Sequence, residues 1–94
     1  MTEIRLLSRV SLSHDVEYSD VGGEIVILHL SKGLYYSLNG IGARIWALLE
    51  QSVLPIEIRD TVTREYQVDE GICTADLSVF FDELARGELV EVVP

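Results

Sequence analysis

Residues with the chemistry of an active site are scarce in this chain: two histidines, His14 and His29, and one cysteine, Cys73, among 94 residues. His14 stands beside Asp15 and His29 lies within a β-branched run, and neither has a Cys, His or carboxylate at metal-ligand spacing. Cys73 shares a helical face with Leu77, where a thiol packs as a small hydrophobe. The segment Asn39-Gly40-Ile41-Gly42-Ala43-Arg44-Ile45 falls between a strand pattern and a helix pattern, the setting in which Gly-x-Gly cradles a pyrophosphate. Ile45, however, fills the place of the third glycine, and no second parallel strand with a ribose-binding carboxylate follows. The segment therefore reads as helix capping with close packing at Gly42. A Ser-His-Asp triad is recognised by geometry, not by composition. No catalytic residue, metal ligand or cofactor site is assigned.

Two other features suit binding. Asp76, Val79 and Glu83 step along one helix at i, i+3 and i+7, beside an apolar stripe that includes Phe80, and so make a mixed acidic and apolar border. Such a border fits a peptide with apolar anchors and some positive charge; it is equally what a solvated helix face looks like. The short aromatic strand Leu34-Tyr35-Tyr36-Ser37-Leu38 is the second feature. If its edge is open, it can accept an extended peptide through main-chain hydrogen bonds, with Leu34, Tyr36 and the helix forming side-chain pockets. If the edge is covered, Tyr35 and Tyr36 simply pack the sheet.

These features need a frame. Val16 to Ser19 reads as a short strand, with a second at Arg9 to Leu12, and the Gly22-Gly23 pair supplies the positive φ of a tight turn. Glu24 to Leu30 is apolar on both alternating faces and reads as the central strand. Ser31-Lys32-Gly33 is a three-residue hairpin loop into Leu34 to Leu38, whose Leu34, Tyr36 and Leu38 share the face turned to the core. Asn39 caps a helix whose stripe is Ile41, Ile45, Leu48 and Leu49, widened by Trp46. Pro55 starts a second, with Ile58, Val62 and Tyr66 on one face. Asp69 caps a third, carrying Cys73, Leu77, Phe80, Phe81 and Leu84 until Gly87, and Leu89 to Val93 adds an edge strand. The inventory is α+β: a three-stranded antiparallel sheet followed by three helices, in the order of a winged helix-turn-helix.

Composition narrows the partners. The formal charge is −9, and residues 60–94 hold nine acidic groups against two basic ones, a local charge of −7. A helix that reads DNA needs the opposite sign, so a winged-helix DNA-binding regulator is the runner-up, and nucleic acid and anionic membrane are poor partners. With 48% hydrophobic and 24% charged residues the chain should fold, and 94 residues make one core and one domain, 1–94. A lone cysteine fits a reducing compartment, the cytoplasm by default. Met1 to Val10, with Glu3, Arg5 and Arg9, has neither a signal-peptide core nor a spanning stretch.

Gly23-Glu24 before the apolar strand, Gly33-Leu34-Tyr35-Tyr36-Ser37-Leu38-Asn39, and Gly42-Ala43-Arg44-Ile45-Trp46-Ala47-Leu48-Leu49 together resemble the PqqD-like family of precursor-recognition elements. The similarity runs over about residues 9–92, through Tyr66-Gln67-Val68-Asp69 to Phe81 and Leu84, and is greatest to stand-alone members from lasso-peptide biosynthesis. The resemblance implies a winged-helix-like fold in which the leader of a ribosomally made precursor adds beside the third strand and lies against the third helix. Carried onto this sequence, the strand is Leu34 to Leu38 and the helix positions are Asp76, Val79, Phe80 and Glu83. It also implies a leader with a Tyr-x-x-Pro motif, no catalysis by the element itself, a separate cysteine leader peptidase, and an ATP-dependent macrolactam synthetase. PqqD itself serves a radical SAM enzyme, and a partner of that type is the alternative within the family.

Overall fold

Glu24–His29 forms the strand on which the sheet is built, because its alternation buries Ile25, Ile27 and His29 on one face and half-buries Val26 and Leu28 on the other. A computed structural model describes residues 8–93, so most of the Met1 to Val10 stretch lies outside the described residues. Chain order is β1 (Arg9–Leu12), β2 (Val16–Val21), β3 (Glu24–His29), β4 (Leu34–Leu38), α1 (Gly40–Glu50), α2 (Pro55–Tyr66), α3 (Glu70–Arg86) and β5 (Val90–Val93). The three-stranded antiparallel sheet runs β2-β3-β4, with β3 central as its apolar pattern predicts. The strand read as third from the sequence is therefore β4.

The tight turns follow local chemistry. Asp20 accepts from the Gly23 N–H at 2.8 Å, and Gly22 and Gly23 take positive φ to close the β2–β3 turn. The β3–β4 loop has four residues, Leu30–Gly33, rather than the expected three. The Leu30 N–H donates to the Asp15 carbonyl at 2.8 Å, on the β2 side of the strand, while the ladder to β4 ends at the His29–Leu34 pair and Leu30 stands exposed. Gly33, at φ 66°, closes this loop through its N–H to the His29 carbonyl.

β5 does not join that sheet: it pairs antiparallel with β1 in a second, two-stranded sheet, from Arg9 opposite Val93 to Leu12 opposite Val90. Leu89 is buried just before the strand starts.

The helices cover one side. α1 packs on β1, β3 and α2, while α2 packs on α3 and α3 reaches β5. Ile45, Trp46, Leu48 and Leu49 are buried as their spacing predicts, and the Tyr18 ring meets Trp46 edge-on with centroids 5.4 Å apart. Tyr18 also donates its hydroxyl to Glu50 at 2.6 Å, and that carboxylate, aided by desolvation, pushes the phenol up to about 12. Ile41 and Tyr66 depart from the expected stripes. Each sits in a terminal turn of its helix, and they are 38% and 43% exposed. Asn39 holds the N-cap position of α1 without a side-chain cap bond. Pro55 opens α2, where the Glu57 carboxylate accepts from the Leu54 N–H at 3.3 Å, and Asp69 caps α3 by accepting from Ile72 N–H at 3.1 Å.

Ile58 is fully buried at the centre of this packing. Ile58→Ala should lower unfolding free energy by about 2–5 kcal/mol in urea titration with an unchanged slope, because it opens a cavity that the helices cannot collapse.

Candidate functional site

β4 has one hydrogen-bonded neighbour, β3, so its outer edge is unpaired among the described residues. Beside it opens a groove of about 410 Å³. One wall is Ser37, Leu38 and Asn39, where β4 runs into α1, and the other is Asp76, Leu77 and Phe80 of α3. The floor belongs to α1 and its neighbours, with Ile41, Gly42, Ile45, Val62, Val68 and Cys73 contributing. Ile45, Val62 and Cys73 are buried, so the floor is core surface left uncovered.

The sequence reading named nine residues for this site. The groove brings together four of them: Ser37, Leu38, Asp76 and Phe80. The other five do not line it. Leu34 and Tyr35, at the far end of β4, are 51% and 71% exposed, which places Leu34 in solvent where the alternation of β4 had assigned it to the core. No element covers that end of the strand. Tyr36 is half-buried, packs against the core, and holds its hydroxyl so close to Gly87 that a methyl there would lie 3.3 Å from it. Val79, 59% exposed, and Glu83 lie along α3 outside the groove. The residues missed are those of the floor. Their signal was present, since Ile41, Ile45, Val62 and Cys73 all lie on helix stripes, but a stripe does not say which part of it the fold leaves uncovered.

Electrostatic ties join these elements outside the groove. At the start of β4, Lys32 pairs with Glu88 at 2.5 Å, joining the hairpin to the segment after α3. The Lys32 backbone N–H donates to Nδ1 of buried His29 at 3.3 Å, and Ser31 donates its hydroxyl to Asp15. Arg44 of α1 makes two parallel bonds to Glu65 of α2, at 2.9 and 2.8 Å. Cys73 directs its thiol to the Arg59 carbonyl at 3.9 Å. Among the described residues, no group of three or more His, Cys, Asp and Glu side chains is placed to hold a metal ion, and no helix is long and apolar enough to cross a membrane.

Fold and groove together define a winged helix-turn-helix-like α+β module with one open sheet edge facing its third helix. Residues 24–90 match the family described as coenzyme PQQ synthesis protein D (PqqD), and the chain belongs to that family. Among solved structures, it aligns with TbiB1 in complex with the TbiA(beta) leader peptide at TM-score 0.84 and 41% identity, over 86% of this chain and 94% of that one. A lasso peptide synthetase B1 complexed with the leader peptide aligns at TM-score 0.81 and 21% identity, over 92% of this chain and 99% of that one, and so shares the fold. No curated protein sequence matches.

The Lys32–Glu88 tie has a definite pH signature. Lys32, by hydrogen bond and charge, holds the Glu88 carboxyl below its usual range. A folded value below the unfolded one means that the pair stabilises above the ordinary carboxylate value, about 4.3, and that this is lost as pH falls through the folded value. Both groups are solvent-exposed, so the effect is small and screened by salt. At low salt, Lys32→Met should melt below the parent chain at pH 7, and the gap should narrow as pH falls below the ordinary carboxylate value; a gap independent of pH would count against the tie.

Proposed function

We propose that this chain is a non-catalytic adaptor that binds the leader peptide of a ribosomally synthesised precursor of lasso type. The carrying observation is 41% identity over 86% of the chain to a protein solved with a leader peptide bound, in a molecule whose own β4 edge is unpaired beside a groove. Residues 1–94 form one recognition domain on this reading, acting in the cytoplasm, to which the lone buried cysteine is suited.

The leader adds as a strand to the outer edge of β4, so that the backbone of Leu34 to Leu38 supplies sequence-tolerant hydrogen bonds. An apolar anchor of the leader enters the groove against Leu38 and Phe80, while exposed Leu34, Tyr35 and Val79 cover its flanks. Tyr36 supports the strand from behind. Asp76 at the rim and Glu83 further along α3 attract basic or polar leader groups, consistent with the −7 of residues 60–94. A Tyr-x-x-Pro segment offers suitable anchors, a ring and a proline. The bound precursor then passes to a separate cysteine leader peptidase, after which an ATP-dependent macrolactam synthetase closes the ring. The adaptor needs no catalytic group of its own.

Calorimetric titration with the TbiA(beta) leader peptide tests the cleft. Phe80→Ala should weaken binding by about 2 kcal/mol, about thirtyfold, as loss of a buried aromatic anchor does. Unchanged affinity in Phe80→Ala and Asp76→Ala together would remove the cleft as the site. Strand addition has its own signature, a period of two: N-methylation along the probe should weaken binding at one alternating set of residues, whose N–H groups face β4, and spare the other.

A further inference from the structure

We propose that Gly42 is a specificity-determining position of the groove, its missing side chain setting how large an apolar anchor the groove admits; the inference rests on the leader-binding reading above. Glycine inside a helix costs up to about 1 kcal/mol relative to alanine, so its presence in the first turn of α1 asks for a reason. Two residues earlier, Gly40 has an obvious one: its φ of 52° is left-handed, and nothing stands within 4 Å of where a methyl would go. Gly42 is different. It is absent from the residues of positive φ, so backbone conformation does not demand glycine there.

Close packing, the reason expected from the sequence, does not demand it either. A methyl on Gly42 would lie 3.5 Å from Cε1 and 3.6 Å from Cζ of Phe80, and 3.8 Å from Cβ of Leu38. These are ordinary van der Waals contacts, which the chain could accept without moving. The three neighbouring atoms all belong to the two walls of the groove, and Gly42 is itself part of the groove. A methyl there would stand between β4 and α3, in the space a ligand side chain would use. What alanine would cost is thus room for the ligand, not stability of the fold. The deeper surface beyond it is apolar, with Ile45, Val62 and Leu77, so the side chain admitted is a large apolar or aromatic one.

Thermal melting and calorimetric titration of Gly42→Ala against the TbiA(beta) leader peptide make the test. The variant should melt at or above the parent temperature and bind the probe about tenfold more weakly, the scale of one methylene in an apolar pocket. When each large apolar residue of the probe is shortened to alanine in turn, the one seated at Gly42 should cost less affinity in the variant than in the parent, because the methyl already occupies part of its space. Equal binding of the probe by parent and variant would overturn the inference while leaving leader binding intact. A variant that unfolds would also overturn it, since packing would then require glycine. No binding of the probe by the parent chain would instead count against the leader-binding reading, and this inference would fall with it.

Discussion

The packing of α1 against β3 governs the rest of the molecule. Ile25 and Ile27 present one buried face of the strand, and Ile45, Trp46 and Leu49 present the buried face of the helix. Because α1 also touches β1 and α2, it is the hub through which the two sheets and the helices share one core. The consequence falls on β4. With the helical layer centred on β3 and β1, and α3 packed on α2 and β5, the outer edge of β4 is left unpaired among the described residues. A sheet edge and a helix then face each other across a gap whose floor is the uncovered end of the core. The groove is thus a result of where α1 sits, while the ties at Lys32–Glu88 and Arg44–Glu65 join the hairpin to the segment after α3 and α1 to α2.

Much of this frame was legible in the residues because the signals are local. Gly22-Gly23 and Gly33 specify turns by their positive φ, Pro55 and Asp69 mark helix starts, and the spacing of Ile45, Trp46, Leu48 and Leu49 marks a buried helix face. The pairing of β1 with β5 was not legible. It joins residues some eighty positions apart, and nothing in either segment names the other. Exposure at element ends was also hidden: Ile41, Tyr66 and Leu34 obey the right period, but a period gives the face and not the length over which a neighbour covers it.

The site was half legible for the same reason. The strand and the acidic border on α3 were visible as types of surface, and the fold does place Ser37 and Leu38 opposite Asp76 and Phe80. The floor required knowing which core positions stay uncovered. Gly42 shows the limit most clearly. From the sequence, close packing was a sufficient reason for it, and only the distances to Phe80 and Leu38 show that alanine would fit.

An open edge that can accept a peptide can also accept a copy of its own chain, and the two edges of this sheet meet that hazard differently. β2 carries Glu17 and Asp20 on its exposed length, so two β2 edges meeting antiparallel would set carboxylates against each other. β4, Leu-Tyr-Tyr-Ser-Leu, carries no charge at all. Its protection has to come from across the groove, where Asp76 lines the rim and Asp82 and Glu83 follow along α3, all exposed. The formal −9 of the chain and these acids set like charge against a second copy at β4 and opposite charge against a strand bearing positive charge. The acidic surface that weighs against nucleic acid as a partner therefore also weighs against an uncharged sheet edge losing its freedom to a copy of its own chain. That freedom is the condition any strand-accepting role for β4 must satisfy.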